Sequence, residues 1–485
     1  MAKTRIKQIS KKCNRKIKAN TSYASLCSLA PLIDSRGIFQ TIHEKVSIPQ
    51  KTVDYRPTDK LVFVVLGVMS GCEVVFDLNR KLRVDRPLLH AFGYQQCADQ
   101  SVIQETLDAA TEENTRQLEE ALKTIWDKNN LTIQLIEDAQ KEGTVETVDI
   151  DLSGMPSSKK AECSTKGYFA GKKNIHGRQL ARILFPKTQE IVAENLYPGN
   201  MTSCKAFKAM VKKMEQILPL DTMAKRNLIR LRLDGGFGTE ENINYALWRS
   251  YHLLTKMYSG NRARALAESV TEWIDISPGP DNTPRQAGWV TRPHRYCKKT
   301  SQLAIRTPKK DGVGYQCSVL VSTDVSADIH SIVADYDRRS GVPESIFCQD
   351  NQGLGNRKRR KRGFIAQQML MLLTQLAHNL IRWTQRWLVN AMEQAAKMAS
   401  SSGKWWNLSS SSVSEDTDMV VETLSSFGMK RFVCQVFCLS GKVVMKKGKV
   451  IEVSINPLYP MVNRIKTAFE ALLKPYRIGV SLDET

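Results

Sequence analysis

Apolar positions set the first divisions along this chain. Residues 1–57 hold no sustained period and read as an irregular basic tail. From Asp59 the text turns helical, first in LVFVVLGVMSGCEVVFDLN and then in ADQSVIQETLDAATEENTRQLEEALKTIWDK. In the second stretch Val102, Leu107, Ala110, Leu118, Leu122 and Ile125 recur at helical spacing, and Asp99 is placed to cap its start. Residues 58–142 therefore read as a small helical domain. The period then shortens. Residues 146–152 (ETVDIDL) and 228–233 (LIRLRL) alternate, and 179–184, 191–196 and 252–257 are short apolar runs with a helix predicted over 239–250. Three strands followed by a strand–helix–strand unit predict a mixed sheet in an α/β layer. Residues 259–329, rich in Pro and Gly, read as a β insertion. Residues 364–396 read as a long apolar helix (Ile365, Met369, Leu372, Leu373, Leu376, Leu380, Trp383, Trp387). A Ser-rich linker is expected over 399–418, then strands and a last helix over 419–485.

Composition narrows the class. The 485 residues are 42% hydrophobic, enough for a sizeable core, and carry 71 Lys or Arg against 49 Asp or Glu, a formal net charge of +22. The longest apolar stretch, 61–76, is interrupted by Glu73 and is too short to span a bilayer, and the basic N-terminus lacks the apolar centre of a secretory signal. Eleven cysteines with no C-x-x-C pair argue against a disulfide framework or a zinc ribbon. A basic intracellular protein with a polyanionic partner is expected, nucleic acid first among them. Two segments hold fourteen of the 22 surplus charges: eight basic residues between Lys3 and Lys18, and the run Arg357, Lys358, Arg359, Arg360, Lys361, Arg362. A charge run is commonly a solvated face; the second run, wedged between Gly353, Gly355 and the apolar helix, reads better as a phosphate contact.

Three acidic positions stand out. Asp151 ends a strand in VDIDLSGMP, Asp234 ends another in RLRLDGGFG, and Glu344 precedes the apolar helix in YDRRSGVPESIF. Carboxylates at strand ends suit Mg²⁺, a hard cation that takes oxygen ligands, and Gly235, Gly236 and Gly238 leave room for a ligand. A single Asp at a strand end is more often a turn former. Asp149 shares a strand face with Asp151 and competes with it, and the D-x-D pair alone would also fit a nucleotide-sugar transferase.

The ordered blocks DIDLSGMP, KGYFAGKKN, GRQLARIL, ENLYPGN, RLDGGFG, YDRRSGVPE, QGLG with RKRRKR, and QLAHNLIRW resemble the DDE transposases of bacterial insertion sequences, in the cut-and-paste group with a Tyr-Arg-Glu-Lys signature. The resemblance runs from about residue 60 to the C-terminus and includes LGVMSGCEVVFDLN, ADQSVIQETL and NPLYP. It implies an RNase H-like catalytic core over 143–258 and 330–398, with the β insertion between them. It assigns a metal-binding triad to Asp151, Asp234 and Glu344, with Mg²⁺ as cofactor and Mn²⁺ as substitute. Asp151 is preferred to Asp149 because Ser153 follows two residues on, as in the family. Tyr336 and Arg339 match the signature's Tyr and Arg and are expected to position the DNA backbone. The implied partners are double-stranded DNA, as terminal inverted repeats and target, and a second copy of the chain on that DNA. The helical region 58–142 becomes the DNA-recognition candidate, and the implied location is the bacterial cytoplasm, at the nucleoid.

Two positions depart from the family pattern. Four residues separate Arg339 from Glu344 where three are usual, which on an unbroken helix turns the carboxylate by ~100°. Pro343 can start a helix afresh and place Glu344 in its first turn. Asn351 stands where the signature has Lys. These departures motivate a second reading, a transposase-derived DNA-binding protein that no longer cuts; a structure-specific nuclease on the same core is a third. Trp273 and Trp289 in the insertion could stack on an extruded base but are expected to be core, as is His378. Cys434 and Cys438 are read as packing residues sharing a strand face.

Overall fold

In ETVDIDL, Val148 and Ile150 are fully buried, and the twofold period of a strand turns Asp149 and Asp151 to the opposite face. The computed structural model describes residues 16–51, 54–169, 172–279, 282–309, 311–341, 343–401 and 410–483. Its strands, in chain order, are β1 (Ile17–Thr21), β2 (Glu146–Pro156), β3 (Thr165–Phe169), β4 (Lys172–Phe185), β5 (Glu190–Pro198), β6 (Ile229–Leu233) and β7 (His252–Lys256). They continue with β8 (Ile274–Ile276), β9 (Arg285–Trp289), β10 (Ser301–Pro308), β11 (Tyr315–Ser322), β12 (Gly441–Lys446), β13 (Lys449–Ile455) and β14 (Gly479–Leu482). The chain divides into two units, one formed by Leu131–Phe347 and the other by Met1–Asn130 with Cys348–Thr485.

The first unit is built on a large mixed sheet. β2 pairs antiparallel with β4, and β4 with β5, while β6 and then β7 run parallel to β2. Helices Ser203–Ile217 and Glu240–Trp248 lie between β5 and β6 and between β6 and β7. This order, β5–β4–β2–β6–β7, is that of an RNase H-like core, the expected α/β class. The sheet then continues antiparallel through β11, β10, β9 and β8. The expected β insertion thus extends the core sheet, and it also contains the helix Gly260–Ala267. Helix Ile329–Gly341 is held by Ile332 and Val333, which pack with Leu254, Leu303 and Leu320.

The second unit corrects three expectations. Of the supposed basic tail, residues 1–15 lie outside the described residues. The rest includes β1 and helices Ala24–Ser28, Ala30–Ser35 and Ile38–Lys45, with Leu26, Leu29, Ile38 and Ile42 fully buried. β1 pairs antiparallel with β12 in a sheet of order β1–β12–β13–β14, so the two ends of the chain share one sheet. Second, residues 429–437 are helical rather than strand, with Phe432, Val433, Val436 and Phe437 buried and Cys434 exposed. Third, a helix, Ser410–Ser425, occupies much of the expected Ser-rich linker, whose residues 402–409 lie outside the described ones. The long apolar helix is present as Phe364–Ser401, and Asp99 caps the helix Gln100–Asp108 through the amide of Ser101. Among the described residues no helix is long and apolar enough to cross a membrane, and the cysteines are free thiols.

Candidate active site

The last rung between β2 and β6 joins Ile150 to Leu233. One residue beyond it, on neighbouring parallel strands, come Asp151 and Asp234. Parallel pairing alone therefore brings these two carboxylates to the same edge. Strand β6 presents Arg230 and Arg232 between its buried Ile229, Leu231 and Leu233, and Arg232 stands beside Asp149. Arg232 closes on Asp149 in a bidentate ion pair, Nε–Oδ1 2.7 Å and Nη2–Oδ2 2.8 Å, both side chains almost wholly buried. Burial pushes the Asp149 carboxyl above its ordinary range, with Arg232 and Arg339 pulling it back. Asp149 is thus committed to Arg232.

Helix Ile329–Gly341 crosses above this charged row. Asp335 reaches back to Arg230 (2.6 Å) and Arg232 (3.4 Å). Four residues on, and so on the same helix face, Arg339 lies 3.9 Å from Asp151 through Nη1 and 3.9 Å from Asp234 through Nη2. These separations exceed hydrogen-bond length, so the contact is electrostatic. Burial works against the Arg339 charge, but Asp151, Tyr336 and Asp234 hold its guanidinium above the ordinary value. Tyr336 packs beside the apolar cluster under the helix and hydrogen-bonds Arg339; burial pushes its hydroxyl up to about 12. Asp335 and Arg232 were missed in the sequence. The alternation of LIRLRL puts Arg232 on the face of Asp149, and the four-residue step from Asp335 to Arg339 marks one helix face.

The glycines after Asp234 have different duties. A Cβ on Gly238 would strike the Lys256 carbonyl at the end of β7, so close approach demands glycine there. At Gly236 it would meet Ser203 Oγ at 2.9 Å and Asp234 Oδ1 at 3.1 Å, crowding the carboxylate itself. The stem of Lys256 lies 3.6 Å from the position of a Gly235 Cβ, and burial lowers the pKa of its amine while Asp234 raises it. Lys256 is a second cation near the site that the sequence reading overlooked.

Glu344 lies in the helical segment Pro343–Gly353, and helix Ile329–Gly341 precedes it; residue 342 between them lies outside the described residues, and with it the expected fresh helix start at Pro343. The Glu344 side chain lies outside the described residues. Among the described residues no group of three His, Cys, Asp or Glu is placed to hold a metal ion. The donors that are described nonetheless suit a hard cation. Asp234 Oδ1 is buried with no hydrogen-bond partner, and the Asp151 side chain is 16% exposed.

Residues 144–380 match the family model of the transposase DDE domain. The matched span contains β2 to β7, Asp151, Asp234, Tyr336, Arg339 and Glu344. No curated protein matches the chain. A solved piggyBac transposase synaptic complex with hairpin DNA aligns over 86% of this chain and 86% of that chain, at 12% identity and a TM-score of 0.42, a likeness too loose to carry residues across.

The basic run splits by its environment. Arg357, Lys358, Arg360 and Arg362 are exposed, with Lys358 paired to Glu73. Arg359 and Lys361 are buried. Arg359 donates to the Cys72 carbonyl and, at 3.3 Å, to Thr374, and burial lowers its pKa to about 10. Lys361 pairs with Asp108 at 2.7 Å. These two residues clamp their own unit together and are not surface phosphate contacts, which corrects the uniform reading of the run.

His378 donates or accepts at 2.8 Å with Asp350, both buried, as a satisfied core histidine. Of the tryptophans expected in the core, Trp289 is 38% exposed, and Trp273 is half-buried with the Arg306 guanidinium 4.3 Å from its ring centre.

Proposed function

We propose that the chain is a DDE transposase of a bacterial insertion sequence, which binds the terminal inverted repeats of its element, cuts DNA there and joins the freed ends to a target. The observation that supports this reading best is the side-by-side placement of Asp151 and Asp234 one residue past the Ile150–Leu233 rung, within the span matching the DDE domain. Asp151, Asp234 and Glu344 are the residues that would hold Mg²⁺ or Mn²⁺. The cation would supply Lewis-acid stabilisation at the phosphodiester and lower the pKa of the attacking hydroxyl. Tyr336 and Arg339, one turn apart on their helix, would orient the strand at the cut. Arg357, Arg360 and Arg362 would engage backbone phosphates, whose contacts position without reading sequence. The helical region 58–142, with the basic N-terminal segment, is the candidate for end recognition. In the first step a water oxygen joins phosphorus and the 3′-oxygen leaves; in the second that 3′-hydroxyl attacks the opposite or target strand by the same in-line displacement. Two ends are expected to be held by a dimer, on the bacterial nucleoid.

The test is incubation of the protein with Mg²⁺ or Mn²⁺ and DNA carrying the inverted repeats that flank its gene. End-specific cuts that vanish in Asp234→Ala support the proposal. Repeat-specific binding with no cut by the unaltered protein would point instead to a transposase-derived DNA-binding protein, the reading that Asn351 favours.

A further inference from the structure

Arg339 differs from the buried arginines Arg232 and Arg182 of the sheet. Arg232 and Arg182 each meet a carboxylate at hydrogen-bond distance, Arg182 reaching Glu194 at 2.6 Å. Arg339, with a side chain only 9% exposed, instead stands 3.9 Å from two carboxylates and closes on neither. Its Nη1, the nitrogen toward Asp151, is buried without a hydrogen-bond partner, and so is Oδ1 of Asp234, whose other oxygen faces Arg339. A guanidinium built to seal the pair permanently would adopt the bidentate fork seen at Asp149. Here one positive charge stands 3.9 Å from each of two negative ones, the same two that a bound cation would share.

We propose that Arg339 is the resident counter-ion of the Asp151–Asp234 pair, holding it in the metal-free protein and moving onto a DNA phosphate when a divalent cation loads. The inference rests on the proposed reading of Asp151 and Asp234 as metal ligands and adds a regulation of that site. A divalent cation and a guanidinium sharing the same two carboxylates repel each other strongly in a buried setting. Arg339 therefore weakens metal binding while it stays, and Lys256 beside Asp234 adds to that repulsion. Arginine's planar fork fits a phosphate as well as a carboxylate, so a DNA backbone at the site offers it a new partner. Coupling of this kind is reciprocal: DNA raises metal affinity by the factor by which metal raises DNA affinity. The consequence is a cutting centre that stays poorly metallated until DNA arrives.

Mn²⁺ titration of the full chain by calorimetry, with and without a duplex of the flanking inverted repeat and with the duplex alone as control, reads this directly. Without DNA, Arg339→Gln is expected to bind Mn²⁺ roughly 10-fold more tightly than the unaltered protein, and Arg339→Lys, which keeps the charge, close to the unaltered value. Adding the duplex should tighten Mn²⁺ binding by the unaltered protein and leave Arg339→Gln nearly unchanged. Equal or weaker Mn²⁺ binding by folded Arg339→Gln overturns the proposal. So does an unaltered protein whose Mn²⁺ affinity ignores DNA, a measurement that needs no variant to fold. Asp234→Ala is the separate control: if it binds Mn²⁺ normally, the metal-ligand reading itself fails, whatever Arg339 does.

Discussion

Two arginine–carboxylate assemblies sit two residues apart on one strand face and have opposite characters. At Asp149, Arg232 makes two short parallel contacts of 2.7 and 2.8 Å, and Asp335 supports it from above. At Asp151, Arg339 stands off by 3.9 Å and shares its charge with Asp234. The first is closed; its polar atoms are spent on each other and it holds helix Ile329–Gly341 over the sheet. The second is open, with a carboxylate oxygen and a guanidinium nitrogen both unbonded. Residue types are the same in the two, but the closed pair is the more buried: the Asp149 side chain is 1% exposed, against 16% for Asp151 and 34% for Asp234.

The comparison breaks most sharply at Asp234. Its replacement by alanine should lower end cleavage by on the order of 10³-fold or more, the several kcal/mol that metal-held charge stabilisation is worth, with an unfolding midpoint close to that of the unaltered protein. Next in size is the closed pair. Arg232→Met leaves Asp149 buried and alone, and chemical denaturation should show a loss of about 3–5 kcal/mol, largely recovered in the double variant Arg232→Met with Asp149→Leu. If the double variant stays as unstable as the single one, the pair is not a self-contained clamp.

The basic run offers a smaller version of the same contrast. Arg359→Ala strips the buried Cys72 carbonyl of its donor and should cost about 1–3 kcal/mol of stability. Arg360→Ala should leave stability within about 0.5 kcal/mol. It should instead weaken binding to any duplex and reduce the salt dependence of binding by about one phosphate contact. Stability loss from Arg360→Ala, or a salt effect from Arg359→Ala without one, would reverse the division drawn between buried and exposed members.

Much of this was legible in the text of the chain. Alternation in ETVDIDL and LIRLRL predicted β2 and β6, and the strand–helix–strand order predicted the unit that forms parallel β6 and β7. The β2–β6 pairing that aligns Asp151 with Asp234 joins strands about 80 residues apart, and no local pattern announced it. What failed had physical reasons. β1 pairs with β12 more than 400 residues away, and no local period announces a partner at that distance. Lysines around it masked the buried Leu26, Leu29, Ile38 and Ile42. The Val, Phe and Cys of VCQVF favour strands by propensity, yet they form the end of a helix whose aromatic side chains are buried. Serines read as a linker supply a helix at Ser410–Ser425, where tertiary packing of Val420 and Leu424 outweighs weak helix propensity. The strand alone could not separate the surroundings of Asp149 and Asp151, because their charged neighbours arrive from β6 and from helix Ile329–Gly341.

The rivalry of Asp149 and Asp151 is also where the account is most exposed. Cleavage per folded molecule should be measured for Asp149→Asn and Asp151→Asn side by side, with the unfolding midpoint of each. The account predicts that Asp151→Asn folds with nearly unaltered stability and does not cut, whereas Asp149→Asn unfolds more easily but still cuts while folded. A stable, inactive Asp149→Asn together with an Asp151→Asn that cuts would contradict it.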